Sequence, residues 1–111
     1  MSRIVIVVDG SERPLEFAKL VRSVVERSLG QVLETMRVKK ALTTVALFGN
    51  DHPEAARRLR AILDCAEQTG TSLRIFKLLA DDELTDSPPA SCEVTRSYLL
   101  NVLDEAEGHY A

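Results

Sequence analysis

The chain has 111 residues with a formal net charge of −3, 45% apolar and 28% charged residues, ordinary globular usage that fills one core but not two, so a single domain over residues 1–111 is expected. Its negative balance offers no basic field for phosphate backbones, and an aromatic content of 5% without tryptophan leaves few stacking platforms, which makes nucleic acid a poor candidate partner.

Met1 and Arg3 lead directly into Ile4-Val5-Ile6-Val7-Val8, followed by Asp9 and Gly10. The apolar run is too short for a signal-peptide core or a membrane span, so the reading is a cytoplasmic protein without membrane contact. It is β-branched throughout and unbroken by polar residues, the pattern of a strand covered on both faces, and is expected at the centre of its sheet.

From Pro14 to about Val38 the residues Phe17, Ala18, Val21, Val24, Val25, Leu29, Val32, Leu33 and Met36 recur at three and four, as on an amphipathic helix. Pro14 suits its first turn. Unbroken, the helix would be about 37 Å long, about twice the ~17–20 Å of a typical strand. Either Gly30 breaks it, since glycine costs about 1 kcal/mol relative to alanine in a helix interior, or the apolar overhang meets a protein partner, most simply a second copy in a homodimer.

Residues 43–48 form the second expected strand, closed by Gly49-Asn50-Asp51. Asp51 as N-cap with Glu54 reaching back starts a helix to about Thr69, and Gly70 stops it. Its inward stripe is Ala55, Leu59, Ile62, Leu63 and Ala66. The third strand, residues 72–79, is interrupted by Arg74 and Lys77 and is expected at an edge. An acidic loop over residues 81–90 carries Pro88-Pro89, and a last helix over residues 91–106 turns Val94, Tyr98, Val102, Leu103 and Ala106 inward.

The order β-α-β-α-β-α predicts a small three-layer α/β domain with a parallel three-stranded sheet, right-handed crossovers and strand order 2-1-3. In such a sheet the carboxyl ends of all strands share one edge, where ligands bind. Asp9 would follow the first strand there, Asn50 and Asp51 the second, and Asp81 and Asp82 the third. Oxygen ligands from Asp9, Asp51, Asp81 and Asp82 could then converge on a Mg²⁺-sized ion. The competing reading makes Asp51 a helix cap and residues 81–86 a solvated acidic run.

Nucleophilic chemistry has less support. His52 and His109 have no sequence context that pairs them with Ser or Cys. Cys65 and Cys92 show no CxxC spacing and read as reduced thiols, with Glu93 opposing thiolate formation at Cys92.

The loop Val8-Asp9-Gly10-Ser11-Glu12 resembles the start of a universal stress protein domain, in which a strand ending in D-G-S-E leads into a helix. Residues 54–59 (Glu-Ala-Ala-Arg-Arg-Leu) and 66–70 (Ala-Glu-Gln-Thr-Gly) resemble that family's second helix and the approach to its third strand. The resemblance covers the first 80 residues. It implies an α/β nucleotide-binding fold with Asp9 on the nucleotide and, with the loop after the second strand, a ligand-binding set of Asp9, Gly10, Ser11 and Asn50. The family's later glycine-rich phosphate loop, G-x-x-G-x9-G-S/T, has no counterpart after residue 80, and two of its strands are missing. The same loop also resembles the D-x-S-x-S start of von Willebrand A domains, with Arg13 where the second Ser ligand would stand.

The leading expectation is a non-enzymatic binding or regulatory module, universal-stress-like with an eroded nucleotide site, acting through protein contacts. The alternatives are a Mg²⁺-dependent hydrolase of phosphate esters or nucleic acid centred on Asp9, and a degenerate von Willebrand A-like protein-binding domain. A nucleotide and Mg²⁺ are the cofactors these readings admit.

Overall fold

A computed structural model describes residues 3–46, 52–78 and 90–109. In chain order these form strand β1 (Arg3–Ser11), helices α1 (Pro14–Val25) and α2 (Leu29–Val38), strand β2 (Ala41–Ala46), helix α3 (His52–Gln68), strand β3 (Thr71–Leu78), a 3₁₀ turn (Ala90–Cys92), the two-residue strand β4 (Glu93–Val94) and helix α4 (Arg96–His109). No helix among the described residues is long and apolar enough to cross a membrane.

β1 is buried along the whole of Ile4 to Val8. Because side chains alternate across a strand, Ile4, Ile6 and Val8 enter one core with Phe17, Val21, Val32, Leu59, Ile62, Leu99 and Leu103, to which all four helices contribute. Val5 and Val7 enter a second, smaller cluster with Ala41, Phe76 and Leu78 on the opposite face, where Cys92 packs against it. The unbroken apolar run therefore serves two faces. Among the described residues the helices occupy only the first of them, giving two layers where three are expected from the sequence.

The expected parallel three-stranded sheet is not what forms. The sheet has four strands in the order β2-β1-β3-β4, and every neighbouring pair is antiparallel. The reason lies in the stretch read as one helix. Glu26 adopts a left-handed conformation (φ 56°) that ends α1, and Ser28 starts α2 with a capping box. Its hydroxyl accepts from the Gln31 backbone N–H at 3.2 Å, and the Gln31 side chain accepts from the Ser28 N–H at 3.0 Å.

One helix between two strands returns the chain to the start of the first strand and makes the second parallel. Two helices bring it back to the end it left. Ala41, which opens β2, accordingly stands opposite Val7 near the end of β1. The connection from β2 through α3 to β3 does contain one helix, so β2 and β3 run parallel, with β1 between them as in a split β-α-β unit.

Gly30 is not the breaking residue. It lies in the first turn of α2, and a Cβ built on it meets nothing within 4 Å. The overhanging 37 Å helix that motivated a homodimer is absent. Replacing Ser28 by alanine removes the cap and is expected to lower stability by about 1 kcal/mol, read as a shift of the urea midpoint at unchanged slope. A shift below a few tenths of that size would mean that the break is imposed by packing alone.

β3 is interior, flanked by β1 and β4, where the sequence suggests an edge. The two charges behind that expectation have local uses. The Arg74 guanidinium lies 5.1 Å from the centroid of the Phe76 ring and pairs with Glu93 at 2.7 Å. Lys77 Nζ donates to the Tyr98 hydroxyl at 2.8 Å. α3 matches its expected span closely, and Gly70 follows it at φ +60°, the left-handed position glycine adopts without steric cost.

Candidate functional site

Two irregularities shape the carboxyl end of β1. Against β2 the register shifts between Ile6 and Val7, so Leu42 is an extra residue that enters the helix-side core. Against β3 it shifts between Val8 and Gly10, leaving Asp9 without an opposite residue. Bulges of this kind bend a strand and re-aim the side chains that follow. Here the bend puts Ser11 opposite Thr71, beside the end of α3.

A cavity of about 230 Å³ sits where the end of β1, the first turn of α1 and the last turns of α2 meet. Its lining is Val8, Gly10, Ser11, Pro14, Leu33, Met36 and Arg37. Pro14 belongs there because it opens α1, and Leu33 and Met36 because they lie three apart on one face of α2. A larger groove of about 370 Å³ between α1 and α3 is walled mainly by charged residues, with Arg57 paired to Glu54 at 3.4 Å.

Ser11 belongs to a chain of hydroxyls. Its Oγ is 2.7 Å from Thr71 Oγ1, which is 2.8 Å from Thr69 Oγ1, and Thr69 donates to the Cys65 carbonyl at 2.7 Å. A carbonyl can only accept, and each hydroxyl has one proton. Thr69 spends its proton on Cys65, so Thr71 donates to Thr69 and Ser11 donates to Thr71. The order of all three protons follows from the carbonyl at the end, and Ser11 Oγ keeps only acceptor lone pairs.

The charges around the cavity are already matched. Arg37 lines it and holds Glu34 through two bonds, Nε to Oε2 at 3.0 Å and Nη2 to Oε1 at 2.6 Å. Hydrogen bonding to Arg37 lowers the Glu34 pKa, and the same contact raises that of Arg37, so both stay ionised. Asp9 Oδ1 lies 3.8 Å from Lys39 Nζ, with both side chains exposed. Cys65 is half-buried, and its thiol pKa is raised by burial and by the neighbouring Asp64, which keeps the unreactive thiol form at neutral pH.

Of the residues expected to bind ligand, Gly10 and Ser11 reach the cavity, and Asp9 faces Lys39. Asn50, Asp51, Asp81 and Asp82 lie outside the described residues. Their convergence with Asp9 presupposes a common carboxyl edge, which an antiparallel sheet does not have. The last described residues of β2 and β3, Ala46 and Leu78, both stand opposite Arg3. That is six residues from Asp9, about 20 Å along the strand. Among the described residues no group of three or more His, Cys, Asp or Glu side chains could hold a metal ion. Arg13, at the position of a second serine ligand in the von Willebrand comparison, instead ties α1 to α3 by donating to the Gln68 carbonyl at 2.8 Å.

Sequence reasoning missed Leu33, Met36, Arg37, Thr69 and Thr71. The first two read correctly as a buried helix stripe, but a stripe does not reveal that it falls short of filling its groove. No spacing rule connects Ser11 with a threonine 60 residues away, because the pairing depends on strand register. Comparison with known proteins found no matching family model, no matching curated protein and no matching solved structure.

Proposed function

We propose that this chain is a non-enzymatic binding module that takes a small molecule into the cavity at the end of β1. The observation that carries the reading is the open cavity itself: apolar walls from Val8, Pro14, Leu33 and Met36, completed by Gly10, Ser11 and the charged side chain of Arg37. Few convergent polar groups in an apolar concavity are the usual make-up of a small-molecule site.

Three further features favour binding over catalysis. The Ser11 proton is directed to Thr71 and not to a base, the Cys65 thiol is held in its protonated form, and the nearby cations Arg37 and Lys39 face carboxylates. Gly10 and Ser11, placed in a ligand-binding set by the universal stress protein resemblance, are both cavity residues in this reading, without the phosphate loop a nucleotide would use.

The test is a titration of ¹⁵N-labelled protein with single-ring compounds followed by two-dimensional NMR. Shifts are expected to cluster on Val8, Gly10, Ser11, Leu33 and Met36, and to disappear in Leu33→Trp, whose side chain would occupy the space. Shifts that cluster elsewhere, or that survive Leu33→Trp in a folded protein, would sink the reading.

A further inference from the structure

The two edges of the sheet are unlike. β4 closes one side with two residues, and its Glu93 is held by Arg74 at 2.7 Å; shortness and charge are common guards of a sheet edge. β2 forms the other side with six residues, Ala41-Leu42-Thr43-Thr44-Val45-Ala46, none of them charged and none proline. Among the described residues, no hydrogen bond beyond the β1 ladder reaches β2. The bulge at Leu42 interrupts the strand near its start and leaves residues 43–46 in regular register with β1. A regular, uncharged edge with outward N–H and C=O groups is a template for one more strand.

We infer that β2 pairs antiparallel with β2 of a second copy of this chain, about a twofold axis that passes through Thr44 perpendicular to the sheet. Such an axis keeps both helix layers on one side, and residues directly opposite in an antiparallel pair share a face. Thr44 stands beside Val5 on the helix-free face, whereas Thr43 and Val45 stand beside Ile6 and Ile4 on the helix face. Centring on Thr44 therefore sets Thr44 against its own counterpart and Thr43 against Val45, each pair on a common face. Paired threonines and β-branched side chains are favourable cross-strand neighbours.

Charge favours a second copy in this orientation. Lys39 and Lys40, both exposed, immediately precede β2. Antiparallel pairing about Thr44 carries the two Lys40 side chains to opposite ends, about eight residues or ~25 Å apart, well beyond the ~8 Å over which exposed charges interact in physiological salt. Parallel pairing would set lysine beside lysine. Because β4 is too short to receive β2, the contact uses the same patch on both copies and closes at two chains. It does not involve the helical overhang, which is absent, or the cavity, none of whose lining residues belongs to β2.

Sedimentation velocity of the intact chain tests the pairing. So short a stretch falls below the about 1,200 Å² of a standard interface, so the mass should rise from one chain to two between about 10 µM and 1 mM. Thr44 is exposed, so Thr44→Lys and Thr44→Glu should keep the native circular dichroism and stay within about 0.5 kcal/mol of native stability. Each places like charges opposite one another at the axis and should hold the mass at one chain throughout. An equimolar mixture sets Lys against Glu and should restore the two-chain species. A native chain that stays single at about 1 mM, a dimer that persists in both variants, a mixture no more associated than its components, or a native mass that grows beyond two chains would overturn the inference, and none of these results bears on the small-molecule reading of the cavity.

Discussion

Replacing Phe17 by alanine is expected to lower the free energy of unfolding by about 3–5 kcal/mol, the range for a fully buried aromatic side chain whose neighbours cannot close the space. Phe17 is on α1 with 0% of its surface exposed, inside the cluster that joins β1, β2 and all four helices. Small domains have about 5–15 kcal/mol in total, so the variant should unfold at a much lower urea concentration, with an unchanged slope if the transition stays two-state. Leu15, two residues earlier and 49% exposed, supplies the control, and Leu15→Ala should stay within about 0.5 kcal/mol of the native chain. A loss below about 1 kcal/mol for Phe17→Ala would mean that α1 does not seat on the sheet through this residue.

A comparable loss, again about 3–5 kcal/mol, is expected for Phe76→Ala on the other face of the sheet. Phe76 is 2% exposed and packs with Val5, Val7, Ala41 and Leu78, none of which belongs to a helix. The two phenylalanines thus test the two faces of β1 separately. They lie in different clusters, so the double variant should show nearly additive losses. Arg74→Ala, which removes the cation over the Phe76 ring together with its exposed pair to Glu93, should cost about 0.5–1 kcal/mol, as exposed contacts of these kinds do. If Phe76→Ala costs no more than Arg74→Ala, the second face is open to solvent and the burial of Val5 and Val7 needs another cause.

The two helices were hidden in the sequence by one apolar stripe. The recurrence at three and four continues from Phe17 to Met36 across the break, because α1 and α2 both turn apolar faces to the same core. Glycine drew attention to position 30. The break instead uses Glu26 in a left-handed conformation, which non-glycine residues adopt only at a cost of about 1–2 kcal/mol, so residue type gives no warning of it. The signal that was present is Ser28-x-x-Gln31, a capping box in the middle of a helical pattern. α3 is legible to within a few residues because its start signal, its apolar stripe and Gly70 agree with one another.

Local periodicity was sufficient for whatever depends only on neighbours in the chain. It marked β1 as buried on both faces, identified α3 and its stop, and picked out the apolar positions of α1, α2 and α3, since burial of a face follows directly from the spacing of apolar residues; on the last helix it failed, because Val94 lies in β4, Tyr98 is 37% exposed and Leu99 takes the buried position. Strand direction is a different kind of property: it depends on how many helices lie between two strands, and the break at Glu26–Ser28 changed that number from one to two. The antiparallel sheet follows, and in it the described ends of β2 and β3, Ala46 and Leu78, stand opposite the start of β1 at Arg3 and not beside its carboxyl end. The site was decided at the same level. Ser11 meets Thr71 and Thr69 only because the bulge at Asp9 sets the register of β1 against β3, and the cavity exists only because α2 returns to the start of α1. Contacts between residues 60 positions apart are products of packing and register, which no local pattern encodes.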